Sequence, residues 1–162
     1  MTGLRIGHGL DAHRLAPGRP LVLGGVEIPF DRGLEGHSDG DVLLHAVASA
    51  LLGAMGEGDL GRHFTSSDPT LRGVASGEIL AQVVAKLAAA GFAVGNLDAT
   101  VVAQAPRLGG YLAQMEGVIA DALGVSAEFV NVKVTSTDGL GAVGRGEGIA
   151  AAAVVLIGEE SG

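Results

Sequence analysis

Apolar and polar positions alternate through residues 4–13, and this segment reads as a strand. Residues 20–30, Pro-Leu-Val-Leu-Gly-Gly-Val-Glu-Ile-Pro-Phe, read as a hairpin turning at Gly24-Gly25. A loop through Gly33 and Gly36 leads to a helix over about 39–55, with Ser38 as N-cap and Asp41 completing a short capping box. Residues 56–75, rich in Gly, Asp, Ser and Thr and carrying Pro69, form a long loop, the kind that is usually functional or mobile. Ser76 caps a second helix over about 77–90 that stops at Gly91. Residues 97–104 alternate as a strand ended by Ala105-Pro106, and a third helix spans about 110–123 before Gly124. Val130 to Thr135 is a strand, with Asn131 and Lys133 facing away from Val132 and Val134. A glycine-rich loop precedes residues 148–157, a buried strand whose alanines also permit helix. The order predicts an α+β fold (an α/β sandwich), with one mixed sheet and helices on one face. A single domain over residues 1–162 is expected.

Composition narrows the function classes. Hydrophobic residues make up 48% and aromatic residues 3%, so the core is built from Ala, Val, Leu and Ile. The net charge is −8 and the only lysines are Lys86 and Lys133, which argues against a nucleic-acid partner. No apolar run of membrane-spanning length occurs, and the N-terminus does not resemble a signal peptide. The absence of cysteine excludes disulfide and thiolate chemistry and fits a cytoplasmic setting. An acidic chain that binds phosphates needs metal ions, backbone amides or a few placed arginines.

Metal-capable side chains concentrate in Gly7-His8-Gly9-Leu10-Asp11-Ala12-His13 and in His37-Ser38-Asp39-Gly40-Asp41 with His45 one turn later. Asp11 and His13 stand two apart on a strand and share a face. Asp41 and His45 stand four apart and share a helix face. Two nitrogens, one oxygen and an open position make a catalytic zinc pattern. Spacing leaves the third ligand open among Asp41, His37 and His45: Asp41 has a competing role as a helix cap, and His45 as a core histidine.

Two segments suit phosphate. His37-Ser38 precedes a helix N-terminus, where free amides favour an anion. The loop Leu140 to Ile149 is glycine-dense and carries Arg145, a candidate diphosphate clamp that could instead pair with Glu147. Gly139-Leu140-Gly141-Ala142-Val143-Gly144 matches a dinucleotide fingerprint, but too few residues follow for the helix and strand that fold requires. Neither a P-loop nor a nucleophile elbow is present.

Five ordered motifs resemble the 2-C-methyl-D-erythritol 2,4-cyclodiphosphate synthase family of the non-mevalonate isoprenoid pathway. They are Arg5 to His13, His37 through His45, Gly58-Asp59-Leu60-Gly61, Ala103-Gln104-Ala105-Pro106-Arg107 and Gly144 to Ala150. The resemblance implies a homotrimer with active sites between neighbouring subunits. It implies Zn2+ on Asp11, His13 and His45. It also implies Mg2+ or Mn2+ on the substrate diphosphate, with Asp138 at the position of the second-metal carboxylate. The reaction is intramolecular: the 2-phosphate of 4-diphosphocytidyl-2-C-methyl-D-erythritol 2-phosphate attacks the β-phosphorus and CMP leaves.

The same resemblance distributes the substrate contacts. Asp11, His13, His37 and Ser38 meet phosphate, with His37 and Ser136 at the transition state. Asp59, Leu60 and Gly61 meet the methylerythritol hydroxyls, adjoined by Phe64, Thr65, Ser66, Ser67 and Asp68. Ala103, Gln104, Ala105, Pro106, Arg107, Leu108 and Gly109 form the cytosine pocket. Thr135, Ser136, Thr137 and Asp138 follow the diphosphate, and Ala142 and Arg145 complete the set. Three departures stand out: Asp138 replaces a common Glu, Ala142 replaces a common aromatic residue, and Phe64 is not followed by the usual Pro-Asp.

Overall fold

The computed structural model describes residues 3–65, 69 and 73–160. Its main sheet has five strands in the order β4-β1-β7-β5-β6. These are β1 Arg5–Pro17, β4 Arg32–Leu34, β5 Phe92–Val102, β6 Val130–Thr135 and β7 Gly148–Glu159. Only β5 and β6 pair in parallel; β7 runs against both β1 and β5, so β1, β5 and β6 point the same way. The sheet is mixed, as the element order predicts. A separate two-stranded sheet, β2 Leu21–Leu23 and β3 Val26–Ile28, stands beside it. Gly24 and Gly25, at φ 58° and 74°, supply the two left-handed residues of the predicted turn.

Helices α1 Val42–Met55, α3 Ser76–Ala89 and α4 Leu112–Leu123 lie together on one side of the main sheet. Helix α1 packs on β1 and β7, α4 packs on β6, and α3 contacts both other helices. Ten of the fourteen residues of α1 are buried, which explains its nearly uniform apolarity: only a narrow stripe through His45, Ser49 and Gly53 reaches toward solvent. Its approach to the sheet depends on two glycines. A Cβ at Gly7 would stand 1.8 Å from the Ala50 carbonyl oxygen, and one at Gly9 would stand 2.0 Å from that of Ala46. Ala151 and Ala153, fully buried on neighbouring β7, continue this thin floor under the helix. These alanines therefore belong to a strand, and the helical alternative for 148–157 is excluded.

Several boundaries differ from expectation. The first strand continues to Pro17, and the strand expected over 97–104 begins at Phe92 and ends at Val102. Three short elements carry no periodic signal: β4, α2 Leu60–His63 and α5 Gly141–Gly144. Helix α1 begins at Val42, and its cap is Asp41, whose carboxylate accepts from the Leu43 and Leu44 amides. Ser38 therefore lies outside the helix, in the preceding loop. Ser76 is the first helical residue of α3, and Ala75 at its N-cap makes no side-chain bond. Both serines turn their hydroxyls elsewhere. No helix among the described residues is long and apolar enough to cross a membrane.

Candidate metal and phosphate site

Along β1, Gly7, Gly9, Asp11 and His13 face the helices, while Ile6, His8, Leu10 and Ala12 face outward. The alternation of a strand thus separates His8 from the cluster and brings Asp11 and His13 to the start of α1. There His45 Nδ1 lies 3.0 Å from Asp11 Oδ2 and 3.2 Å from His13 Nε2, and His13 Nε2 lies 2.7 Å from the same carboxylate oxygen. One ligand atom from each residue falls within 4.8 Å of the other two. Donors about 2.0–2.1 Å from a tetrahedral ion stand ~3.3 Å apart, so the spacing fits a zinc-sized cation.

The surroundings orient these donors. His13 Nδ1 donates to the Glu35 backbone carbonyl, which can only accept. That bond keeps the proton on Nδ1 and turns the Nε2 lone pair toward Asp11 and His45. Gly36 leaves room for the ring, since a Cβ there would stand 3.3 Å from His13 Cε1. The outer oxygen of Asp11 accepts from the Ala12 amide at 2.9 Å. Burial pushes the Asp11 carboxyl up, yet the hydrogen bonds and charges of His13 and His45 outweigh it and hold the group well below the usual carboxylate range. His13 is raised above the ordinary imidazole value, mainly by its bond to Asp11, against the effect of burial. Protons and a cation therefore compete for the same three atoms.

Asp41 does not join them. It is fully buried, and besides capping α1 it accepts from the Gly24 amide at 2.9 Å and the Gly25 amide at 2.7 Å. Burial pushes its carboxyl up to about 6, with the Gly25, Leu44 and Gly24 amides pulling the other way. Asp41 ties the hairpin turn to the start of α1 and so fixes the helix that carries His45.

The His37-Ser38 loop lies behind the His45 ring, on the side of Nε2. Arg19 holds it from below, donating to the Ser38 carbonyl at 3.0 Å. His37 is exposed, and its carbonyl accepts from the Gly73 amide. Ser38 is buried, with its hydroxyl 3.1 Å from His45 Nε2.

Other predicted residues fall in two groups. Asp59 caps α2, accepting from the Arg62 amide at 2.9 Å, and Leu60, Gly61, Phe64 and Thr65 follow it. Ser66, Ser67 and Asp68 lie outside the described residues. At the far side of the sheet, segments 103–109 and 135–139 leave the ends of β5 and β6 together. The Ala103 amide donates to the Thr135 carbonyl at 2.9 Å, and the Gly139 amide to Gln104 Oε1 at 3.3 Å. A cis bond joins Ala105 and Pro106, and Leu108 anchors the segment in the core. Ser136 and Asp138 are exposed, and Asp138 has φ 55°. Ala142 is exposed on α5, and Arg145 pairs with Glu147 at 2.6 Å, the structural alternative foreseen for it. Both far-side segments stand at the same sheet end as Asp11 and His13, but β1 and β6 are three strand spacings apart, roughly 14 Å. Within one chain, segments 103–109 and 135–139 thus stand apart from the metal cluster, whereas Ala142 lines a pocket with Ala12 and His13.

Comparison with known proteins decides the family. A family model described as the YgbB family matches residues 4–158. The chain belongs to this family. A 2-C-methyl-D-erythritol 2,4-cyclodiphosphate synthase from Desulfatibacillum aliphaticivorans is 56% identical over 154 residues, covering 95% of this chain and 99% of the relative. Among solved structures, a bifunctional IspDF from Campylobacter jejuni superposes with a TM-score of 0.94 at 39% identity, over 98% of this chain and 43% of that one. A CDP complex of IspF from Plasmodium falciparum superposes with a TM-score of 0.87 at 27% identity, over 99% of each chain.

Sequence reasoning missed three contributors: the Glu35 carbonyl, Asp39 and Ser76. A backbone acceptor leaves no mark in sequence. Asp39 stood inside a recognised motif without a role, and Ser76 carried the signal of a helix cap.

Proposed function

We propose that the chain is a divalent-metal-dependent 2-C-methyl-D-erythritol 2,4-cyclodiphosphate synthase, a CMP-releasing cyclising lyase of a single catalytic domain that works in the cytoplasm. The observation that carries this reading is the convergence of Asp11, His13 and His45 beside the His37-Ser38 loop, in a chain 56% identical to a synthase over nearly its full length. The nucleophile is the substrate's own 2-phosphate, already an anion, so no strong base is required. The work of the site is to align two phosphates and spread the developing charge.

Asp11, His13 and His45 would hold zinc, which supplies Lewis-acid polarisation of a phosphate oxygen. His37 and Ser38, in the loop behind His45, would meet phosphate. Asp59, Leu60 and Gly61, with the segment from Phe64 to Asp68, would receive the methylerythritol unit. Residues 103–109 would take the cytosine through backbone groups. Thr135, Ser136 and Thr137 would line the diphosphate, with Ser136 at the reacting phosphorus, Asp138 toward a magnesium or manganese ion, and Ala142 and Arg145 bordering the nucleotide loop. In the reaction an oxygen of the 2-phosphate bonds to the β-phosphorus, the bond from that phosphorus to the bridging oxygen breaks, and CMP departs with its electron pair.

The separation of the metal cluster from segments 103–109 and 135–138 within one chain supports a site shared between subunits. So does the outward face of the sheet, where Ile6, Leu10 and Val154 are 73%, 68% and 43% exposed. Neighbouring apolar side chains in the open mark an interface. A homotrimer built on this face would let one chain's metal cluster meet the next chain's nucleotide segments. Phosphorus NMR of the zinc- and magnesium-replete protein with the diphosphocytidyl substrate tests the reading. A cyclic diphosphate with CMP is the expected product pair; inorganic phosphate release, or no conversion, refutes it.

A further inference from the structure

Ser76 opens α3, thirty-one residues beyond His45 in sequence, and its side chain is buried beneath the metal cluster. Its hydroxyl oxygen lies 2.9 Å from His45 Nε2 and 3.2 Å from the Ser38 hydroxyl, and it is hydrogen-bonded to Asp39 Oδ1. The carboxylate of Asp39 is fixed in turn by backbone amides, accepting from Asp41 at 3.1 Å and from Ser76 at 3.1 Å.

These contacts have a direction. A carboxylate only accepts, and a serine hydroxyl has one proton to give. Ser76 therefore donates to Asp39, and its oxygen must accept from His45. An accepting oxygen requires Nε2 to carry the proton, which leaves Nδ1 as the nitrogen with a free lone pair. Nδ1 is the atom that faces Asp11 and His13. Were Asp39 absent, the Ser76 proton could turn to Nε2 and move the imidazole proton to Nδ1, into the path of a cation.

We infer that Asp39 and Ser76 form a hydrogen-bond relay that fixes the tautomer and ring orientation of His45 for metal binding. Both are positioning residues: neither reaches the cation. They do for His45 what the Glu35 carbonyl does for His13, with a carboxylate and a hydroxyl in place of a peptide group. The relay also connects the start of α3 to His45 through one buried hydroxyl. The inference rests on the reading of Asp11, His13 and His45 as a zinc site.

The test uses the whole zinc-loaded protein. Nitrogen-15 NMR of the wild-type histidine rings is expected to show His45 protonated at Nε2 and metal-bound at Nδ1; the reverse assignment overturns the inference without any variant. Ser76→Ala is expected to weaken zinc binding about 10–100-fold in competition with a chelator, while the denaturation midpoint of the chelator-treated protein changes little. Wild-type affinity in Ser76→Ala overturns the relay. If wild-type protein takes up no zinc, the metal reading fails and the relay with it; if it takes up zinc that His45→Ala loses, only the Ser76 result bears on the relay.

Discussion

Gly9→Ala is the smallest change that should pull the candidate site apart. The added Cβ would lie 2.0 Å from the Ala46 carbonyl oxygen and 2.7 Å from the Ala50 amide nitrogen, both backbone atoms of α1. Ordinary contact begins near 3.4 Å, so helix and strand must separate by about 1.4 Å at this level. Neither can yield locally: Gly9 is paired with Ala153 in the sheet, and α1 is packed on the sheet through ten buried residues. Overpacking of this kind costs about 1–3 kcal/mol. His45 immediately precedes Ala46, so the shift reaches the 3.0 Å and 3.2 Å distances that define the cluster. A metal site needs its ligand distances held to about ±0.2 Å, so zinc affinity should fall. Gly7→Ala provides the control. Its Cβ meets Ala50 and Ala54, one and two turns farther from the site, at distances as short. The two variants should lose similar stability in urea denaturation of chelator-treated protein. Gly9→Ala should lose far more zinc affinity in chelator competition. Equal affinities in the two variants, or a Gly9→Ala protein indistinguishable from wild type, would refute this account of how the helix sets the site.

In the proposed homotrimer, Leu10→Asp, on the outward face of β1 and 68% exposed in the single chain, should break the assembly to folded monomers in sedimentation velocity and abolish turnover. The pH dependence of the chelator-treated protein should carry the mark of His13: a raised folded value means its stabilising contribution is complete below about 6.5 and fades as pH rises through that folded value. Urea midpoints should therefore fall on the alkaline side, less steeply in His13→Gln, while apparent zinc affinity strengthens over the same range because the proton no longer competes.

Much of this arrangement is legible in the chain because strand and helix periods are rigid. Asp11 and His13 share a face for any strand over 4–13, and the strand runs through them. The Gly24-Gly25 turn follows from the conformational demand of a two-residue hairpin. The choice between Asp41 and His45 could not be read this way. Both stand at the start of α1, and only the packing of the hairpin turn against Asp41, through the Gly24 and Gly25 amides, removes it from contention. Ser38 and Ser76 misled for a related reason. A serine before an apolar run has the composition of a cap, but buried hydroxyls took partners supplied by tertiary contact. The elements that went unseen, β4, α2 and α5, are three or four residues long, shorter than any period that could reveal them.

The two glycines and the two ligands of β1 are parts of one register. Two residues along a strand advance about 6.6–6.8 Å, and four residues along a helix advance about 6.0 Å. An antiparallel strand and helix therefore keep step, two residues against four. Gly7 lies over Ala50 and Ala54, and Gly9 over Ala46 and Ala50. The next step pairs Asp11 with the first turn of α1, where Asp41 ends the helix and His45 projects. At the two lower steps the absence of side chains lets the backbones touch. At the third step the helix is ending, and the same face of the strand gains room for Asp11 and His13. Closeness below and an opening above are both needed, because the glycines set the distance at which His45 meets the strand. The net charge of −8 then becomes intelligible beside a polyanionic substrate. A cation held at this third step, and the exposed backbone of the loops around it, can supply the positive potential that the side chains of the chain as a whole do not.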